Sequence, residues 1–225
     1  MSDLISHRGP DDFGYACLCP GTNAVISHGK ELPECTGTVF LGHRRLSIID
    51  LSGSKQPLSN EDGSIWTVFN GEIYNYVELA DSLMKKGHSL RNKGDTEVLV
   101  HLWEEYGKDM VEHLVGMFAF CIYDSRKDIL YLARDRFGQK PIYYFESDGT
   151  FYFASELQSF FGLNDFKSNE INETAIAQYF RYGFIPNPGT VYKNVMSLPQ
   201  GHFLLRKNGT CEIRQYWKPS VTGDA

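Results

Sequence analysis

Apolar residues along this chain fall mostly into short runs broken by turn residues, and less often into helical stripes. Runs over 13–19, 24–28, 37–43, 65–70, 116–123, 129–133, 141–145, 150–154, 201–206 and 211–217 read as strands. Several come in hairpin pairs. Met117–Tyr123 turns through Asp124-Ser125-Arg126-Lys127-Asp128 into Ile129–Ala133, and Ile142–Phe145 turns at Ser147-Asp148-Gly149 into Thr150–Ala154. The uninterrupted apolar run at 117–123 predicts a strand covered on both faces.

Two stretches switch to helical spacing. Over 75–86, Val77, Ala80, Leu83 and Met84 follow Ile73 at helical intervals until Gly87 ends the pattern. Over 96–106, Val98, Leu99, Leu102, Trp103 and Tyr106 form one stripe, with Asp95 or Thr96 as N-cap and Gly107 beyond the end. A weaker third helix covers 173–182. Many hairpins plus consecutive helices predict an α+β domain, sheets packed on each other with helices outside. Prolines concentrate after residue 183, so 184–225 reads as a connector leading away from the domain.

Composition narrows the function classes. At 225 residues the chain can bury a sizeable core, and 42% hydrophobic with 22% charged residues is ordinary for a globular protein. A net charge of −6 without a basic block argues against nucleic acid as partner. No apolar run approaches the ~18 residues of a membrane span, and the N-terminus is no signal peptide, which points to the cytoplasm. Five cysteines without metal spacing read as buried, reduced core thiols, and seven scattered histidines lacking a His-x-x-x-His pair predict no metal site.

Four places carry candidate chemistry. Asn70-Gly71, read as the turn after a strand, offers a side-chain amide and a backbone N–H, the donor pair that holds an oxyanion in acyl transfer. Arg45, at the end of a strand before an apolar turn, can clamp a carboxylate with two hydrogen bonds, or pair with Asp50 at the surface. Asp95 caps a helix or receives an ammonium. Arg134-Asp135-Arg136-Phe137-Gly138-Gln139-Lys140-Pro141 reads as a charged loop with an internal ion pair. Together Arg45, Asp95 and Asn70-Gly71 describe a site for an amino acid undergoing acyl transfer.

Seven segments then appear in one family's order: His7-Arg8-Gly9-Pro10-Asp11-Asp12, Arg45–Asp50, Gln56-Pro57, Asn70–Asn75, Asp95-Thr96-Glu97, Gly116–Phe120 and Arg134–Pro141. With these the chain resembles the glutaminase domain of glutamine-dependent asparagine synthetases, class II glutamine amidotransferases of the N-terminal-nucleophile hydrolase superfamily. The resemblance implies a four-layer αββα fold and glutamine as small-molecule substrate, hydrolysed to glutamate and ammonia. It assigns Asn70 and Gly71 to the oxyanion hole, Arg45 to the glutamine α-carboxylate, Glu72 and Asp95 to its α-amino group, and Leu46 and Ile48 to the pocket wall. No cofactor is implied for this chain; ATP and Mg2+ belong to the synthetase domain that would receive the ammonia.

Two features depart from the family. Its nucleophile is an N-terminal Cys whose own α-amine is the general base, whereas Ser2 lies only a few residues before His7 and no Cys-Gly-Ile opening exists. The Ser-Gly-Gly-x-Asp-Ser nucleotide loop of the synthetase domain is also missing. The expectation is therefore an incomplete amidotransferase domain over 1–183, lacking its first strand, followed by the connector at 184–225. As this chain it would be inactive and poorly stable, with Met1 an internal residue of a longer protein. A homodimer is compatible with the resemblance. The other readings are a non-catalytic glutamine-binding regulator, and the glutaminase part of an enzyme amidating a cell-surface sugar precursor.

Overall fold

The computed structural model describes residues 1–20, 24–29, 34–45, 55–167 and 169–220. A 3-10 segment, Ser2–Arg8, precedes β1 (Asp12–Leu18), β2 (Val25–His28) and β3 (Val39–Arg45), which form an antiparallel sheet in the order β2-β1-β3. Then come β4 (Leu58–Ser59), β5 (Ile65–Ile73), helices α1 (Tyr76–Lys85) and α2 (Glu97–Tyr106), and the hairpin of β6 (Gly116–Asp124) and β7 (Ile129–Arg134). A second hairpin, β8 (Tyr143–Ser147) and β9 (Thr150–Ala154), is followed by a 3-10 segment at Leu157–Gly162 and by α3 (Glu173–Tyr182). Last are β10 (Met196–Ser197), β11 (His202–Lys207) and β12 (Thr210–Gln215).

The central sheet has six strands in the order β12-β11-β7-β6-β5-β4, and a further three-stranded sheet has the order β10-β8-β9. Period-2 alternation sorts the side chains into layers. Phe118, Phe120 and Ile122 of β6 join Phe69, Ile73, Leu99, Leu102 and Trp103 in a core between the central sheet and the helices. Ala119, Cys121 and Tyr123 point the other way, to Ala16, Leu18 and Leu41 of the β1–β3 sheet. The strand covered on both faces is present. In β8 and β9, Tyr144, Phe151 and Phe153 face that second core, whereas Phe145, Tyr152 and Ala154 face outward to Phe160, Phe166 and Val195. The layering is that of the αββα N-terminal-nucleophile hydrolase fold, as expected.

Several local expectations shift. On α1 the inward stripe is Tyr76, Leu79, Ala80 and Leu83; Val77 and Met84 face solvent, and Ile73 belongs to β5. Positions 76, 79/80 and 83 share a face because their spacing of three or four residues matches the helical repeat, while Val77 and Met84 lie one position round from it. On α3 only Ala175 is buried. β11 pairs with β7, so two strands within 184–225 extend the central sheet. Cys17 and Cys35 are disulfide-bonded across 18 residues rather than reduced, Cys121 is buried as expected, and Cys211 is exposed. The first two meet because Gly37 beside them leaves no side chain in the way: a Cβ there would lie 2.4 Å from the Cys17 sulfur.

Candidate active site

Five of the residues singled out in the sequence border one cavity of about 1070 Å³: Arg45, Asn70, Gly71, Glu72 and Asp95. Leu46 and Ile48, assigned to the pocket wall, lie outside the described residues, as does Asp50, the alternative partner of Arg45. The cavity also borders both β3 and β9, and among the described residues β3 pairs only with β1 and β9 only with β8.

Asn70-Gly71 is not a turn. β5 runs on to Ile73, opposite Gly116 of β6, and the chain turns into α1 only at Tyr74-Asn75. The strand continues because β6 is present to pair with it, a partner invisible in the local sequence. The consequence is that Val68, Asn70 and Glu72 share the face of β5 turned towards the cavity, while Phe69 and Ile73 face the helices. Gly71 is required by close approach: a Cβ there would sit 2.1 Å from the Met117 carbonyl oxygen.

Asp95 does not cap α2. The N-cap is Thr96, whose side chain makes no capping bond, and Asp95 Oδ2 instead accepts the backbone N–H of Ile73 at 3.0 Å. That bond ties the start of α2 to the end of β5, bringing Asp95 and Glu72 to the same cavity. Burial raises the Asp95 carboxyl above its usual range, and the charge of Glu72 pushes the same way, against the hydrogen bond from Ile73. A carboxylate raised in this way, with a second acidic side chain bordering the same cavity, is prepared for a cation.

Arg45 is positioned by the His7–Asp12 segment, whose design was opaque in the sequence. Gly9 crosses β3 so closely that a Cβ would lie 2.4 Å from the carbonyl carbon of Arg44. Pro10 then bridges to Arg45, and Asp11 N–H donates to the Arg45 carbonyl at 3.1 Å. His7 and Arg8 meet Glu156, with Arg8 Nη1 2.8 Å from Oε1.

Two neighbours were missed by sequence reasoning. The Gln56 side chain pairs with the backbone of Phe69, accepting its N–H at 2.7 Å and donating to its carbonyl at 3.3 Å, one residue before Asn70. His43 reaches the same carbonyl through Nε2 at 3.1 Å. Burial, reinforced by the nearby Arg45 charge, lowers His43 to about 4 despite that hydrogen bond, so the ring is neutral at pH 7. Gln56-Pro57 was visible as a motif; nothing in the sequence marked His43 beyond its place beside Arg44.

The loop 134–141 holds no Arg134–Asp135 pair. Arg134 donates to the carbonyls of Lys140, Gly138 and Leu198 at 2.7–2.8 Å. Asp135, fully buried, accepts the N–H groups of Phe118, Phe137, Gln139 and Lys140 at 3.0–3.2 Å. Each charge is satisfied by backbone, and the loop is thereby held against the β6 strand beside Gly71.

The sequence model of a glutamine amidotransferase domain matches residues 1–217. The chain belongs to that family. Asparagine synthetase [glutamine-hydrolyzing] 1 of Bacillus subtilis (strain 168) is 40% identical over 97% of this domain, which covers 32% of that protein. The asparagine synthetase [glutamine-hydrolyzing] of Asparagus officinalis is 37% identical over 92% of the domain and 32% of its own length. The amidase chyE of Penicillium rubens is 34% identical over 96% and 29%. This amidotransferase domain thus spans about a third of the length of the curated relatives it matches. Among solved structures, the glutamine phosphoribosylpyrophosphate amidotransferase from B. subtilis superposes with a TM-score of 0.67 at 20% identity, over 96% of this chain and 45% of that one. A glutamine aminotransferase class-II domain protein from Silicibacter pomeroyi gives 0.54 at 14% identity over 91% of both chains. These last two show the shared fold.

Cys121 borders the cavity, but burial holds its thiol well above the ordinary range, and burial also raises Cys211. Among the described residues, no helix is long and apolar enough to cross a membrane.

Proposed function

We propose that the cavity binds L-glutamine and that this chain is the glutaminase portion of an asparagine-synthetase-type enzyme. The observation that carries the reading is the convergence of Arg45, Asn70, Gly71, Glu72 and Asp95, drawn from β3, β5 and the start of α2, on one cavity. Arg45 receives the α-carboxylate, and Glu72 and Asp95 receive the α-ammonium, which relieves their mutual repulsion. Asn70 Nδ2 and the Gly71 N–H face the developing charge on the side-chain amide oxygen. Ammonia released here would pass to an ATP- and Mg2+-dependent domain accounting for the remaining length of the relatives. That the final acceptor is aspartate rests on the names of those relatives.

The chemical step needs a nucleophile with a base beside it, and the family's N-terminal Cys has no counterpart in this sequence. A strand entering between β3 and β9 would join the two three-stranded sheets and carry such a residue to Asn70 and Gly71. Glutamine binding without turnover would favour the regulator reading for this chain.

Calorimetry with glutamine and a coupled assay for glutamate test both halves. The expected result is saturable binding, weakened at least tenfold by Arg45→Ala, with no glutamate formed. No binding by the folded chain overturns the site assignment. Glutamate release abolished by Asn70→Ala would overturn the statement that the nucleophile is absent.

A further inference from the structure

The histidines carry no ligand spacing along the chain, yet folding gathers two of them beside α2, apart from the cavity that holds the proposed glutamine site. His101 Nδ1 lies 3.0 Å from Glu104 Oε2, and His88 Nδ1 lies 3.5 Å from the same oxygen. The two ring centroids are 4.9 Å apart. One donor atom from each of His88, His101 and Glu104 falls within 4.8 Å of the others, and Glu61 Oε2 stands 3.9 Å from His101 Nδ1.

From these contacts we infer that His88, His101 and Glu104 form a zinc site, with Glu61 or water in the fourth position. Two imidazole nitrogens and a carboxylate oxygen are ligands that zinc accepts and that magnesium and calcium, which take oxygen, do not favour.

The far side of each ligand supports the assignment. Metal-bound imidazoles turn their second nitrogen to a carboxylate, which fixes the tautomer and strengthens the ligand. His88 Nε2 is 3.0 Å from Glu105 Oε1, and Glu105 is itself held by Lys86 Nζ at 2.6 Å. His101 Nε2 faces Glu97 Oε1 at 4.0 Å, and Glu97 is anchored by the backbone N–H groups of Arg91 and Asn92 at 3.1 and 2.6 Å. Glu104 Oε1 accepts from Asn60 Nδ2 at 2.8 Å, leaving Oε2 aimed at both Nδ1 atoms.

The competing account is a protonated His101 bridging its carboxylates. In both accounts Nε2 carries a proton directed at Glu97 Oε1 at 4.0 Å, so the difference lies at Nδ1, where an ion or a second proton meets Glu104 and Glu61. The ion would clip the turn ahead of β5 and the segment after α1 onto α2, the helix whose start carries Asp95.

The test is Zn2+ titration of the full chain after chelator dialysis, followed by calorimetry and thermal unfolding, with Co2+ absorption as the ligand-field signature. Expected are one Zn2+ per chain, a raised Tm, and no effect of Mg2+. Because a change at fully buried His101 risks the fold, the decisive variant is His88→Gln, at a partly exposed position. It should weaken Zn2+ at least tenfold, remove the Co2+ signature and abolish the metal-dependent gain in Tm. Affinity should also fall as the imidazoles protonate at lower pH. Absence of Zn2+ uptake overturns the site; so does equal uptake by His88→Gln, which would place the ion elsewhere, for example on exposed Cys211.

Discussion

Asp95 shows how a single residue can border the expected cavity while departing from the local structure expected of it. A carboxylate just ahead of a helix most simply caps it, yet this one accepts the N–H of Ile73 and feels the charge of Glu72. Its raised pKa means that the folded state holds the charged form at a cost, so Asp95→Asn should leave Tm unchanged or higher. The same change should weaken glutamine at least tenfold by removing the ammonium's partner, and calorimetry beside a melting curve reads both effects. In the parent chain, glutamine affinity should decline as pH falls through the raised Asp95 pKa, at a higher pH than for an ordinary carboxylate. His43 has the opposite signature. Its folded pKa of about 4, against about 6.5 when unfolded, means the unfolded chain binds the proton more readily in that window. Its contribution to stability is full above pH 6.5 and is lost as pH falls towards 4. Urea midpoints measured across that window should fall with pH, and His43→Gln should flatten the dependence; equal slopes would remove His43 from the account.

Among the elements, strands were legible and their partners were not. Period-2 patterning and turn residues place β1, β6 to β9 and β11 within about two residues, and the start but not the end of β5, because both signals are local. That Asn70-Gly71 lies inside β5 depends on β6, more than 40 residues away, since the register pairs Asn70 with Ala119. The loop 134–141 makes the same point with charges. Opposite signs adjacent in sequence suggest an ion pair, but folding offers each side chain buried backbone groups that need partners more. Asp135→Ala would leave four N–H groups without their acceptor, each costing about 1–3 kcal/mol when buried. The expected loss is at least ~3 kcal/mol in chemical denaturation, whereas Asp135→Asn, which keeps one acceptor oxygen, should recover part of it. A loss below ~1 kcal/mol would show that the loop is ordered by something else.

For the whole molecule, the decisive feature is a cavity of about 1070 Å³ bordered by β3 and β9 beneath the central sheet. Among the described residues β3 and β9 have one strand partner each, and these edges with the apolar lining predict that the isolated chain binds a hydrophobic dye and unfolds over a broad range. A single sharp transition without dye binding would contradict that. The order of apolar runs, the turn residues and the seven family segments were enough, without coordinates, to determine the αββα class and the family, and to single out five residues that border one cavity. All of these rest on local spacing or on identity in order. Only tertiary structure decided that Asp95 belongs to β5 rather than to its helix, that Gly9 exists to seat Arg45, that Cys17 finds Cys35, and that His88 meets His101. Each depends on contacts between segments distant in the chain, where packing and the need to satisfy buried polar groups outweigh local preference.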